Sequence, residues 1–275
     1  MSSWGARNLA ASVRWLAGRP GIAFLTAPDD RLADAAPETF ANAWWALLAQ
    51  SVMWGAAIVL VWQRAYYLFG NMSGIWSVST AAVLVFMFLG PFRRALLGSN
   101  RLLSPGGPDG GQWVAGLTLL TFALVLLTVK PGDVWVVHEP SLPWCLGWMR
   151  PNKEADRALL LMPIWGCWGM LIIGQFCRPG ERTEPAVVAL VKGCGPITAV
   201  ASILLPVAGT WFYFGYLGRW QHLTMSAFGA CSAVIGGMYL CRRGGGLSRA
   251  AMLTTNLLVQ LAFLLGCLCA DPRMG

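Results

Sequence analysis

The chain has 275 residues, 56% of them hydrophobic and only 12% charged, with fifteen tryptophans and a net charge of +8. Soluble domains carry about 25% charged residues, so half that share, with a mean hydropathy of +0.57, excludes a soluble globular domain and points to a polytopic membrane protein. The positive balance does not indicate nucleic acid, because aromatic RNA-binding motifs and basic helices are absent and the arginines lie between apolar spans.

The first forty residues read as a cytoplasmic N-terminal segment, 1–40, ahead of a transmembrane helical domain, 41–275. They do not form a cleaved signal: Arg14 breaks the apolar core, and no small-residue cleavage site follows an apolar run. Trp4, Leu9, Val13 and Leu16 share a helical face with Arg7 and Arg14 beside it, the pattern of a short helix lying on the membrane surface. Arg19-Pro20-Gly21 ends that helix, and Asp29, Asp30, Asp34 and Glu38 make a solvated acidic linker.

Seven stretches then approach the roughly 20 residues that cross a bilayer: Ala41–Trp62, Ser73–Phe92, Gln112–Val129, Ala158–Cys177, Gly195–Phe214, His222–Cys241 and Ala250–Cys269. No acidic residue falls inside any of them. With no alternating pattern, a chain that must satisfy its backbone in lipid uses helices. The predicted fold class is therefore all-α transmembrane, a polytopic bundle of about seven helices.

Between the second and third spans lies RRALLGSNR, Arg93 to Arg101, part of a predicted loop over 93–111. After the third span, Lys130–Arg157 carries Trp135, Trp144 and Trp148, ring systems suited to the outer interface. Asn152, Glu154 and Asp156 fit an N-cap and first turn for the fourth span. Thr183-Glu184-Pro185 starts a short helix that Gly193-Cys194-Gly195-Pro196 interrupts, and Pro196 and Pro206 break the fifth span. In the sixth, Ser226 and Ala230, and Gly229, Ala233 and Gly237, give small-residue faces for close packing. In the seventh, Asn256 and Gln260 share a face and predict hydrogen bonds between helices.

Orientation follows from the basic residues. Thirteen of the twenty lie in the N-terminal segment and in 93–111, 178–194 and 242–249, which seven spans put on one side. The N-terminus is accordingly cytoplasmic and the C-terminus outside. The arginines of RRALLGSNR thereby help to hold the topology.

Chemical constellations are sparse. His138 and His222 both fall near the outer face, and a haem or copper site using them with Met225 weighs less than two interfacial histidines. The eight cysteines show no CxxC spacing. Most sit in or beside spans as small apolar side chains, with a pairing of Cys145 to Cys267 or Cys269 left open.

RRGGGLSRAAMLTTNLLVQLAFLLG, Arg242 to Gly266, resembles the C-terminal segment of the cobalamin synthase family, the adenosylcobinamide-GDP ribazoletransferases of bacterial inner membranes. It has the glycine pair Gly245-Gly246 and the ending Phe263-Leu264-Leu265 in the same register. ALLLMPIWGCWGMLI, Ala158 to Ile172, is similar to that family's apolar helix around A-P-x-x-G-R, Cys177-Arg178-Pro179-Gly180 stands at its tyrosine-alanine-arginine turn, and WLAGRP, Trp15 to Pro20, resembles its opening L-T-R-L-P. The departures lie in the acidic motifs. Where the family carries D-G-L-A-D-T-A-D-G, the three aspartates fall on Arg94, Gly98 and Arg101, the threonine on Ser99 and the leucine on Leu96. Its D-S-R-x-G motif has no counterpart. Ser248, Arg249 and Ala250 stand for the later threonine, glycine and aspartate, and Leu257 and Gln260 for the helix acids.

The transfer that the resemblance implies displaces GMP from a diphosphate and needs Mg²⁺ on hard carboxylate oxygens. An arginine in place of an aspartate repels that ion, at a cost of about 4 kcal/mol per misplaced charge at about 4 Å and an effective dielectric near 20. Three readings follow. One is a catalytically degenerate relative, needing no cofactor, that binds a corrinoid or another phosphate-bearing ligand through Arg93, Arg94, Arg101, Arg178 and Arg249, since guanidinium groups suit phosphate. Another is a working magnesium-dependent ribazoletransferase with relocated acids such as Asp109, Glu181 and Glu184. The remaining one is an unrelated membrane scaffold or small transporter. In all three the lipid bilayer is a partner, nucleic acid is not, and homo-oligomerisation is left open.

Overall fold

Helix is the form that lets a single apolar segment satisfy its own backbone in lipid. The computed structural model has no strand among the residues it describes, which are 20–27, 38–69, 75–89, 92–103, 118, 121–123, 154–180, 183–215, 217 and 219–270. Helices α1 (Pro20–Thr26), α2 (Glu38–Ala41), α3 (Ala43–Phe69), α4 (Ile75–Leu89) and α5 (Arg93–Leu103) precede α6 (Glu154–Phe176). There follow α7 (Pro185–Cys194), α8 (Pro196–Ala201), α9 (Leu204–Phe214), α10 (Arg219–Cys231), a π-helical turn (Ser232–Gly236), α11 (Gly237–Arg243) and α12 (Arg249–Cys269).

Among the described residues five helical stretches are long and apolar enough to cross a membrane: Ala43–Ala65, Ala155–Phe176, Pro196–Phe214, Arg219–Arg243 and Arg249–Cys269. They correspond to the predicted first, fourth, fifth, sixth and seventh spans. The second becomes α4, and a sixth crossing is counted if Ser79–Phe88 and Arg93–Asn100, bent by 74° to each other, are taken as one span. The predicted third span lies outside the described residues except for 118 and 121–123, as do the surface helix of the first nineteen residues and the tryptophan-rich stretch after Lys130.

Two expectations need correction. RRALLGSNR is not a loop: it begins α5. Phe92, Ala95, Leu96 and Ser99 are buried while Arg93 and Leu97 face out, so one face meets the bundle at helical spacing. The fourth span also starts earlier than Ala158. Asp156 and Arg157 are 2% and 1% exposed inside its first turn. They are held there by Gln63 Nε2 donating to Asp156 Oδ2 at 2.8 Å and by Arg157 Nη1 donating to the Tyr213 carbonyl at 2.7 Å. Charges taken out of water need such partners.

Helix α6 is the axis of the bundle. Of its most apolar stretch 89% is buried within the protein, against 22% for Pro196–Phe214 and 28% for Arg219–Arg243. Outer helices instead present Ile197, Leu204, Ile235 and Leu60 outward, the surface that lipid covers. Trp165 is fully buried, stacks on Phe263 at 5.8 Å and stands edge-on to Trp168. Both indole N–H groups are satisfied: Trp165 Nε1 donates to Thr210 Oγ1 at 3.0 Å, and Trp168 Nε1 to the Ala199 carbonyl at 3.2 Å. The predicted small-residue face of the sixth span packs on α6, with Gly229 against the Trp165 ring, Ala233 against Gly169 and Gly237 against Ile173. Phe24, Leu25 and Phe40, from the N-terminal segment, belong to the same core.

Candidate functional site

At the end of the bundle where α6 finishes, two connections are tied together. The Leu247 amide donates to the Arg178 carbonyl at 2.9 Å, and Thr183 Oγ1 donates to the Leu247 carbonyl. Gly246 has φ +132°, and a side chain there would collide with Gly180, its Cβ falling 2.6 Å from the Gly180 Cα. The glycine pair of the sequence is thus required by backbone geometry.

This junction fixes the start of α12. Ser248 is its N-cap, accepting from the Ala251 amide at 3.2 Å. Glu184 Oε2 accepts from the Arg249 amide at 3.0 Å, while the Glu184 carbonyl accepts from Val187 and Val188 to begin α7. One glutamate therefore starts two helices. A carboxylate at a helix N-terminus meets unpaired N–H groups and the positive end of the dipole.

The arginines nearby serve the opposite ends of helices. Arg249 is 3% exposed, and its guanidinium reaches α1: Nε donates to the Phe24 carbonyl at 2.8 Å and Nη2 to the Ala23 carbonyl at 3.4 Å, with the Phe24 ring centroid 5.8 Å away. Arg243 does the same for α5, with Nε donating to the Leu102 carbonyl at 2.9 Å and Nη2 to the Leu103 carbonyl at 3.4 Å. Terminal carbonyls of a helix lack intrahelical partners, and a cation there is favoured by the dipole. Arg243 was not singled out from sequence, and nothing in its neighbours marks it.

Between α5, α7 and α12 a small cavity is lined by Arg94, Leu97, Gly98, Glu184, Arg249, Ala250 and Leu253. Of the five predicted anion ligands, Arg94 and Arg249 meet here. Arg93 is exposed beside them and Arg178 is exposed outside the cavity lining. The Arg101 side chain lies outside the described residues. Arg249 is already bound to α1, whereas the Arg94 guanidinium has no hydrogen bond or ion pair to another described residue. Gly98 lets α5 approach α12, since a Cβ there would lie 3.2 Å from the Ala250 Cα. Nearby, the Cys241 thiol lowers the pKa of Cys177 by hydrogen bonding, burial opposes this, and Arg242 adds to the lowering.

These residues do not fit magnesium. The single carboxylate among them, Glu184, is bound to a backbone amide, and a hard dication needs several oxygen ligands. Asp109 and Glu181 lie outside the described residues. No group of three His, Cys, Asp or Glu side chains that could hold a metal occurs among the described residues. At the opposite end of the bundle, buried His222 stacks on Trp211 at 4.7 Å, while His138 and Cys145 lie outside the described residues.

Comparison with known protein families, with characterised proteins and with solved structures finds no match.

A second cavity, which the sequence did not reveal, lies deeper. It is small and is lined by residues that include Leu47, Trp54, Phe92, Cys167, Asn256 and Gln260. The predicted bonds from Asn256 and Gln260 to other helices are replaced by a bond within α12, Gln260 Nε2 donating to Asn256 Oδ1. Gly166 makes room for the pair, since a Cβ on it would fall 2.6 Å from Asn256 Oδ1 and 2.7 Å from Gln260 Cγ.

Proposed function

We propose that this multi-pass membrane protein binds a phosphate-bearing ligand at the end of the bundle where α5, α7 and α12 meet, with Arg94 as the principal contact. The observation that carries this reading is Arg94: a half-buried guanidinium lining a cavity, with no hydrogen bond or ion pair to another described residue. Arg249 adds positive potential from behind, and the start of α12 faces the same space. Arginine and a helix N-terminus are the two groups that proteins most readily aim at phosphate. Glu184 sets the limit on affinity, because its carboxylate already takes one α12 amide.

Placed in a bacterial inner membrane with its N-terminus in the cytoplasm, this end of the bundle faces the cytoplasm. The reading extends to a relative of the cobalamin synthases that keeps the bundle and has given up magnesium-dependent transfer. Its support is that positions aligned with acids in two separate motifs, Gly98 and Ala250, are packed against each other.

The test is titration of inorganic pyrophosphate into purified protein in detergent. Wild type binds, Arg94→Gln weakens binding at least about tenfold, as the loss of a charge-assisted hydrogen bond implies, and Glu184→Gln, which keeps an acceptor for the Arg249 amide, tightens it. Equal affinities for wild type and Arg94→Gln would remove the proposal. Separately, restoring cobalamin synthesis to a strain lacking the synthase would replace degeneracy with a working transferase.

A further inference from the structure

The junction that starts α12 also brings two cysteines together. Cys177 closes the last turn of α6, its amide donating to the Ile173 carbonyl at 3.0 Å, and Cys241 lies in α11. The chain leaving α11 turns back at once. The Gly246 amide donates to the Cys241 carbonyl at 2.8 Å, and the next amide, that of Leu247, donates to the Arg178 carbonyl at 2.9 Å. Two successive amides therefore tie the backbone of one cysteine to that of the residue after the other, and the two thiols meet across the tie. The Cys241 thiol donates to the Cys177 sulfur, and Arg242 adds a positive charge close enough to favour the thiolate there, against the effect of burial. Cys241 is 2% exposed, whereas Cys177 is half-buried and its neighbours Phe176 and Arg178 are exposed. Two sulfurs in hydrogen-bond contact on a tied backbone are placed to join. A cysteine beside a guanidinium and reachable from outside is the kind that peroxides oxidise, and a second thiol in contact with it completes a reversible cycle.

We infer that Cys177 and Cys241 form a peroxide-sensitive dithiol, with Cys177 as the attacking sulfur and Cys241 as the sulfur that resolves it. The Cys177 sulfur attacks one oxygen of hydrogen peroxide. The S–O bond forms, the O–O bond breaks, and the departing hydroxide takes up the Cys177 proton as water. The Cys241 sulfur then attacks the Cys177 sulfenic acid: the S–S bond forms, the S–O bond breaks, and a second water leaves with the Cys241 proton. The two thiols lose two electrons and the peroxide gains them. On the side that the basic residues put in the cytoplasm, such a disulfide is a transient record of oxidation. Neither cysteine lines the Arg94 cavity, and the inference does not rest on phosphate binding.

The test treats the full-length protein in lipid nanodiscs with hydrogen peroxide, blocks the remaining thiols with N-ethylmaleimide after denaturation, and maps the peptides by mass spectrometry. The expected product is a Cys177–Cys241 disulfide that dithiothreitol reverses, with Cys177 lost at least about tenfold faster than the exposed Cys269, as thiolate content implies. Cys241→Ser stops the reaction at a sulfenic acid on Cys177, trapped by dimedone, and Cys177→Ser leaves Cys241 reduced. The wild-type map alone can overturn the inference, so it does not depend on the variants folding. Cys177 and Cys241 both still blocked by maleimide after peroxide, Cys177 joined to a different cysteine, or Cys269 oxidised as fast as Cys177 would each do so.

Discussion

Arg249 lies 225 residues from the Phe24 carbonyl it caps, and its guanidinium ties α1 to α12. Hydrogen bonds from a charged donor contribute about 1.5–3 kcal/mol each when buried. Arg249→Ala is therefore expected to cost about 3 kcal/mol, read as a lowered Tm of the purified protein in detergent. Arg249→Lys, which keeps the charge without the planar fork, is expected to recover part of it. A Tm for Arg249→Ala equal to that of the wild type would show that α1 is held by apolar packing without the guanidinium. The sequence identified Arg249 as a residue of interest through its charge in an apolar chain. It gave no hint that the partner would be a helix terminus, because carbonyls at helix ends carry no residue signature. Arg243, in the same role for α5, went unnoticed for that reason. Gln260 was visible as a polar residue in an apolar span, but whether its amide finds partners depends on the neighbours that packing supplies.

At the scale of elements, helix contacts here are set by glycines that remove a side chain at a crossing. Gly55 is the clearest case: a Cβ on it would fall 2.2 Å from the Leu160 carbonyl oxygen, a backbone atom that cannot rotate away. Gly55→Ala should gain up to about 1 kcal/mol of helix propensity and lose more through separating α3 from α6, for a net destabilisation of about 1–3 kcal/mol. Met53→Leu, on the exposed side of the same helix, should change stability by less than about 0.5 kcal/mol. Denaturation in mixed micelles compares the two, and equal midpoints would mean that α3 and α6 do not cross at Gly55. Helix α5 shows what a window tuned to apolar runs overlooks. Phe92, Ala95, Leu96, Ser99 and Leu102 recur at helical spacing, a pattern that arginines at 93, 94 and 101 disguise as a polar loop. Its 74° bend from the preceding helix depends on the docking of that face against α12.

For the whole molecule, the distribution of basic residues predicts a cytoplasmic N-terminus and a C-terminus on the far side. A fluorescent fusion that matures only in the cytoplasm should be bright at the N-terminus and dark at the C-terminus, with the reverse for a phosphatase active only outside. Signals of the same kind at both ends would require an even number of crossings, and swapped signals would put the Arg94 cavity on the outer side. Leu103 and Glu154 lie at opposite ends of the bundle. Leu103 sits at the Arg94 end, where Arg243 caps it, and Glu154 begins α6 at the other.

The sequence by itself determined the class of the protein and the positions of most of its membrane-crossing helices, because transfer of about twenty apolar residues into lipid depends only on the segment that is transferred. It also determined where α7 begins, since Pro185 acts on its own local backbone. Only the tertiary structure decided that α6 is the axis, that Arg249 and Arg243 are consumed as helix caps, that Arg94 is left facing a cavity, and that Gln260 borders a second one. Each of those outcomes depends on groups brought together from as many as 226 residues apart, and their meeting is fixed by packing rather than by any property of the residues taken singly.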